Sequence, residues 1–371
     1  MRICKLCEIA KFKTGKLNSN ASKNEGRYPF FTCAPEPLKI DTYAFDTKAI
    51  ILAGNNAEGN FHIQYFEGKF NAYQRTYVIE TIDDTIVDIR YLFYALKMCL
   101  KHFKLISQGT ATKFLTAKIL NAFELPIPEI DLQQKLVSLL AAIDDKIEEN
   151  QKINENLEQQ AQAIFANEFL ALESLPDGWK RGSLIDIADY LNGLAMQKYR
   201  PAADEVGIPV LKIKELRQGY CDDTSEVCSP NIKTNYIIHD GDVIFSWSGS
   251  LLVDFWCGGI CGLNQHLFKV TSSVYDKWFY YAWTKHHLER FIAVAADKAT
   301  TMGHIKRDEL SKAEVLIPNK ADYNRIGSLL HPIYDLIITN RIESKKLAET
   351  RDTLLPKLMS GEIDISEVDY E

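Results

Sequence analysis

Two short segments carry side chains able to make paired hydrogen bonds to the edges of nucleic-acid bases. They are Phe70-Asn71-Ala72-Tyr73-Gln74-Arg75 and Leu263-Asn264-Gln265-His266. Asn, Gln and Arg present neighbouring donors or acceptors that match adenine or guanine in the major groove. Gln74 and Gln265 align when the chain is laid on itself at an offset of 191. Trp247 and Ser248, in Ser246-Trp247-Ser248-Gly249, offer an aromatic ring among hydroxyls. Two small polar loops also recur in matching places. One runs from Gln108 to Lys113 and includes Thr110 and Thr112; the other is Ala299-Thr300-Thr301-Met302-Gly303-His304. Lys11, Lys13, Lys16, Lys23 and Arg27 form one basic group, and Lys198, Tyr199, Arg200, Lys212, Lys214 and Arg217 a second. Both have the charge to meet phosphates. The plain alternative for each loop is a solvated turn, and for the Gln74 and Gln265 loops an internal bracket.

Covalent chemistry finds little support. No G-x-G cofactor loop is present, and Gly258-Gly259-Ile260-Cys261-Gly262 lacks that spacing. There is no G-x-x-x-x-G-K-[ST] phosphate loop, no H-E-x-x-H and no Asn-Pro-Pro-aromatic tetrad. Cys4-x-x-Cys7 and the Cys257/Cys261 pair would make a zinc site only by meeting across two globules. Buried or incidental thiols are the simpler reading, so no metal ligand and no catalytic residue is assigned.

The elements that must position these loops follow from length and pattern. At ~150 residues per domain, 371 residues make two or three domains. With 46% hydrophobic and 25% charged residues, the chain falls among globular proteins. No apolar run reaches the ~18 residues of a membrane span, so no membrane partner is expected and a cytoplasmic setting with reduced thiols follows. The net charge of −7 looks wrong for a nucleic-acid binder, but it is segregated: residues 1–125 carry +5 and residues 126–172 carry −6. Bulk charge therefore neither points to DNA nor excludes it.

An internal repeat organises the chain. At an offset of 190, Ile127-Pro128 falls on Ile317-Pro318 and Ser138-Leu139-Leu140 on Ser328-Leu329-Leu330. At an offset of 178, Leu6, Ile9, Ala10 and Gly15 match Leu184, Ile187, Ala188 and Gly193. Apolar residues step by four and three from Leu136 through Leu140, Ile143, Ile147, Asn150, Asn154, Leu157 and Ala161 to Ile164. The same heptad seam recurs from Ile326 through Asn340 to Leu354. The pattern predicts globule, helix, globule, helix. The helices are expected to pair antiparallel, related by a pseudo-twofold axis, with Asn150 facing Asn340 to fix the register. Each seam is about 42 Å long at 1.5 Å per residue. The globules read as mixed α/β, making the whole α+β. Strands are expected at Tyr43–Leu52, Phe61–Gly68, Pro209–Ile213, Asp242–Ser246 and His266–Val270, and helices at Tyr91–Phe103 and Trp278–Ala295. Leu175-Pro176-Asp177-Gly178-Trp179 is turn chemistry and marks a linker. The expected division is 1–125, 126–172, 173–315 and 316–371.

Over essentially its whole length the chain resembles the DNA specificity subunit of type I restriction–modification systems. Leu175-Pro176-Asp177-Gly178-Trp179 is similar to the "LPxGW" that opens a target-recognition domain in that family. Thr300–His304, Leu310 and Val315-Leu316-Ile317-Pro318 are similar to that domain's closing stretch, with Thr110 to Pro128 as the first-half counterpart. Leu354-Leu355-Pro356-Lys357-Leu358-Met359-Ser360-Gly361-Glu362-Ile363 is similar to the family's C-terminal "LLPKLLSGEI". The resemblance implies two target-recognition domains, each reading half of a split, asymmetric double-stranded DNA target, with the paired helices as spacer. It implies two modification methyltransferase subunits carrying S-adenosylmethionine, and restriction/translocase subunits using ATP and Mg, with no cofactor on this chain. The rival readings are a coiled-coil scaffold without sequence-specific DNA binding, and an enzyme with an unrecognised site.

Overall fold

The computed structural model describes residues 2–297, 305 and 307–365. The chain forms two compact units: Met1–Asp145 with Glu349–Glu371, and Lys146–Ala348. Each unit is a globule plus parts of the two long helices, Ile130–Phe165 and Lys320–Ser360.

In the first unit a six-stranded sheet runs in the order Ala10–Thr14, Thr76–Thr81, Phe45–Ala53, Ile63–Ala72, Tyr28–Phe31, Leu38–Ile40. Neighbours are antiparallel except Tyr28–Phe31 and Ile63–Ala72, where Phe31 lies parallel to Ala72. The second half of Phe45–Ala53 is apolar at every position and buried on both faces, as a central strand requires. Helix Ile89–Met98 packs on this sheet. The Asp88 side chain caps it, accepting from the N–H groups of Arg90 (2.8 Å) and Tyr91 (3.0 Å). Leu92, Leu96 and Phe103 close one core with Ile50, Leu52 and Ile79. On the other face Phe31, Phe45, Phe66 and Phe70 form an aromatic cluster.

The second unit divides the work of that sheet between two. Asp189–Asn192, Leu267–Thr271, Val243–Ser246 and Leu252–Phe255 make an antiparallel sheet. Val227–Cys228, Ile208–Leu211, Cys261–Leu263 and Ile237–Ile238 make the other, with Leu211 parallel to Leu263. Trp278, Phe279, Tyr281 and Trp283 of helix Lys277–His286 fill the core beneath the first of these.

The single helices expected over Tyr91–Phe103 and Trp278–Ala295 are each two helices. The first breaks at Cys99, where the N–H reaches back three residues to the Leu96 carbonyl. The second breaks at His287, whose Nε2 donates to the Glu314 carbonyl at 2.8 Å. Apolar periodicity survives such a tightened turn, so sequence alone runs across it.

Within the Lys146–Ala348 unit the long helices are antiparallel. Asn340 Nδ2 donates to Asn154 Oδ1 at 2.9 Å, and Asn154 Nδ2 to the Ile337 carbonyl at 3.3 Å. Asn150 Nδ2 donates to Glu343 Oε2 at 2.7 Å and to Ser344 Oγ at 3.3 Å. Asn150 and Asn340 are both buried, but they do not face one another, which corrects the expected pairing. The spacing explains the error. Asn150 and Asn340 occupy the same kind of heptad position. Antiparallel helices set one kind of seam position against the other, so Asn340 meets the next seam residue, Asn154, and Asn150 meets Ser344. In the first unit Leu136 and Leu140 are buried with Leu355 and Leu358, and Arg351 reaches Asp144 at 2.6 Å.

Leu175–Trp179 turns as its composition suggests, with Trp179 N–H bonded to the Pro176 carbonyl. It is an anchor rather than a loose linker. Trp179 is buried, its Nε1 donates to Asp322 Oδ2 at 2.9 Å, and Asn319 Nδ2 donates to the Asp177 carbonyl at 3.2 Å. Among the described residues no helix is long and apolar enough to cross a membrane.

Candidate nucleic-acid interface

The turn at Tyr73-Gln74-Arg75 is held from three sides. Tyr73 N–H bonds to the Phe31 carbonyl (2.8 Å), Gln74 N–H to Leu17 (2.9 Å) and Thr76 N–H to Tyr73 (2.9 Å). Gly15 lies flat against it, since a Cβ there would fall 1.7 Å from the Ala72 oxygen. The Arg75 carbonyl accepts from Gly54, and the Gly54 carbonyl from Leu115.

The second unit repeats the pattern. Asn264 N–H bonds to Leu211 (3.2 Å) and Leu267 N–H to Asn264 (3.0 Å), with Gly193 pressed against the Asn264 oxygen. The His266 carbonyl accepts from Trp247, and the Trp247 carbonyl from Ile305. Gln74 and Gln265 therefore stand at the middle of the same turn, built once in each unit.

In the first unit Gln74 and Arg75 are exposed. Gln74 Nε2 donates to Asn18 Oδ1 at 2.9 Å, leaving its oxygen and one N–H outward. The Arg75 guanidinium lies 5.5 Å over the Phe114 ring, which ties the turn to the loop holding Thr110, Thr112 and Lys113. A bridge between Gln108 and Phe114 closes that loop. Beneath, the Cys33 thiol donates to Asn55 Oδ1 at 2.9 Å.

In the second unit Trp247 Nε1 donates to Asn192 Oδ1 at 2.9 Å. Ser248 Oγ and His266 Nδ1 are 3.1 Å apart, and Gln265 Nε2 and His266 Nε2 are 3.3 Å apart. The His266 ring is thus fixed on both nitrogens. Asn264 and Ser248 are buried, and the Asn264 side-chain oxygen accepts from the N–H of His266 at 3.3 Å. Both support the turn from inside. Gln265, His266 and Trp247 keep half-exposed surface.

The basic groups divide. Lys13 pairs with Glu80 at 2.5 Å on the sheet's edge strand, with Lys11 exposed on the same strand. Arg200 (3.6 Å) and Lys212 (2.6 Å) share Glu226, and Lys214 reaches Asp222 at 3.2 Å. Hydrogen bonds from Thr224, joined by Lys214, pull the Asp222 carboxyl down to about 2. Lys13, Arg200, Lys212 and Lys214 are each paired with a neighbouring carboxylate. Lys16, Arg27, Lys198 and Tyr199 are exposed. Thr300, Thr301 and His304 lie outside the described residues. Burial pushes the Cys257 thiol up to about 11, and Cys4 and Cys261 are also buried while Cys7 is exposed.

Asn18 and Asn192 escaped sequence reading. Each holds the side chain of a candidate contact residue, and each lies on a segment without apolar period. The signal present was proximity to the matching glycines, Gly15 and Gly193.

The chain belongs to the type I restriction modification DNA specificity domain family, whose model matches residues 1–159 and again residues 176–349. It is 27% identical over 311 residues to the type I restriction enzyme MjaIX specificity subunit of Methanocaldococcus jannaschii, covering 77% of this chain and 71% of that protein. It is 37% identical over 163 residues to the type I restriction enzyme EcoDI specificity subunit of Escherichia coli, covering 43% of this chain and 35% of that one. The fold is similar to the crystal structure of a type I restriction-modification S subunit from M. genitalium, with a TM-score of 0.59 at 15% identity over 96% of this chain and 95% of the other.

Proposed function

We propose that this chain is the non-catalytic DNA-recognition subunit of a type I restriction–modification complex in the cytoplasm. Each globule reads one half of a split, asymmetric target in double-stranded DNA. The observation that carries this reading is the turn built twice, with Gln74–Arg75 exposed, Gln265–His266 half-exposed and both rigidly backed. Gln and Arg side chains held this way make two-point contacts to adenine and guanine. A pre-ordered turn also loses little conformational entropy on binding.

The long helices set the distance between the half-sites. Their acidic outer face over residues 126–172 fits protein partners better than DNA. Two modification methyltransferase subunits dock there and bring S-adenosylmethionine; restriction/translocase subunits bring ATP and Mg. This chain binds none of these cofactors. Its part is to hold the target in register while a partner subunit methylates adenine.

Selection from a pool of random duplexes by the assembled complex tests the reading. A split motif with a fixed gap is expected. Enrichment of no motif, from a complex that assembles, would instead identify the chain as a protein scaffold.

A further inference from the structure

Lys104 and Lys113 come from separate elements and meet over one glycine. Lys104 lies on helix Leu100–Ile106, and Lys113 on the short strand Lys113–Phe114, opposite Asn56. Between them the Asn56 side-chain oxygen accepts from the N–H groups of Glu58 (2.9 Å) and Asn60 (3.0 Å), which locks the 56–60 loop. Gly59 sits in this loop at φ 75°, a backbone shape that favours glycine. A Cβ on Gly59 would fall 3.1 Å from Lys104 Cγ and 3.2 Å from Lys113 Cγ, so both lysine stems lie against the same small spot.

Lys104 Nζ bonds to a neutral amide, Asn60 Oδ1, at 2.7 Å. The nearby Glu58 carboxylate accepts from the Asn60 amide at 3.2 Å. Among the described residues neither lysine has a carboxylate within ion-pair distance. The neighbouring turn is tied to this strand, since Arg75 rides on Phe114, the residue after Lys113. Like charges gathered without a counter-ion repel, and a bound anion relieves that cost.

We propose that Lys104, Lys113 and the locked Gly59 loop form a seat for one phosphate of the DNA backbone beside the Gln74 turn. This rests on the DNA-reading role above and adds a defined contact to it: the seat fixes where the duplex lies, so that Gln74 and Arg75 meet a particular base step. It carries no sequence information itself.

The test uses the full chain in its assembled complex and a duplex bearing the selected motif. Lys104→Met and Lys113→Met keep the aliphatic stems on Gly59 and remove only charge. Each is expected to weaken binding to target and scrambled duplex by the same factor, on the order of tenfold or less. Together they should lower the slope of log affinity against log salt by about 0.9, the value for one phosphate. Scanning the duplex with single methylphosphonates should find one phosphate whose neutralisation weakens the wild type and leaves the double variant unchanged.

An unaltered salt slope, or identical methylphosphonate scans, overturns the seat. Saturable stabilisation of the wild type alone by inorganic phosphate, at fixed ionic strength and without that scan difference, assigns the site to free phosphate and overturns the DNA contact. A wild-type complex that prefers no duplex over scrambled DNA sinks the parent reading and the DNA seat with it. Motif preference with unchanged lysine variants sinks the seat alone.

Discussion

Asn340 donates its amide N–H to the side-chain oxygen of Asn154, 2.9 Å away, inside the apolar seam of the antiparallel helices. Asn154 passes a hydrogen bond on to the Ile337 carbonyl. One layer of the seam is therefore polar and internally satisfied. Such a layer is weaker than a Leu layer, but it penalises any slip of register, because a slip leaves two amides buried without partners.

Replacing both Asn154 and Asn340 by Leu is expected to raise stability, read as a higher denaturation midpoint. Asn340→Leu alone strands the Asn154 oxygen and is expected to lower stability by about 1–3 kcal/mol. Equal effects of the single and double changes would show that the two amides are not coupled.

His287 makes stability depend on pH. Burial, together with the neighbouring His286 and Arg290, holds its ring below the ordinary 6.5, against a weaker upward pull from the Glu314 carbonyl. His286 is depressed by burial in the same direction. The unfolded chain therefore takes up protons first as pH falls through 6.5. Stability is fully present above that value and declines as pH drops toward the depressed folded value. The slope is at most about 1.4 kcal/mol per pH unit for each histidine. His287→Gln keeps a donor for the Glu314 carbonyl and removes one titration. Denaturation midpoints at pH 7.5 and about 5.5 should then differ less than in the wild type; an unchanged difference would clear His287 of the effect.

The two turn glutamines should act on separate halves of a recognised sequence. Gln74→Ala is expected to relax the preference at one position of one half-motif by about 1–3 kcal/mol, roughly 5- to 150-fold, and Gln265→Ala at one position of the other. Ser248→Ala removes the contact to His266 Nδ1 and should weaken binding while leaving the first half-motif untouched. Selected motifs from the three variants decide this; loss of preference in both halves from a single change would contradict it.

The sequence showed much of this architecture because heptad spacing and repeated offsets are period signals carried by many residues. The long helices, their antiparallel course and the central strands were legible for that reason. What it missed depends on geometry between distant segments. The helix breaks at Cys99 and His287 leave apolar period intact. The Asn150–Asn340 pairing failed because spacing gives the seam but not which layer faces which. At the candidate interface, residue type nominated Gln74, Gln265 and Trp247, but type cannot separate an outward amide from an inward one. Asn264 faces the core while Gln265 beside it does not. Lys104 went unread because its partners, Gly59 and Lys113, adjoin it only in the fold.

The most direct measurement is the methylome of a host carrying this chain and its neighbouring methyltransferase, compared with a strain lacking only this chain. The account predicts a split, adenine-methylated motif that disappears with the deletion, and whose two halves change independently in the Gln74→Ala and Gln265→Ala strains. Unchanged methylation, in a strain where the complex assembles and binds S-adenosylmethionine, would contradict the DNA-reading role.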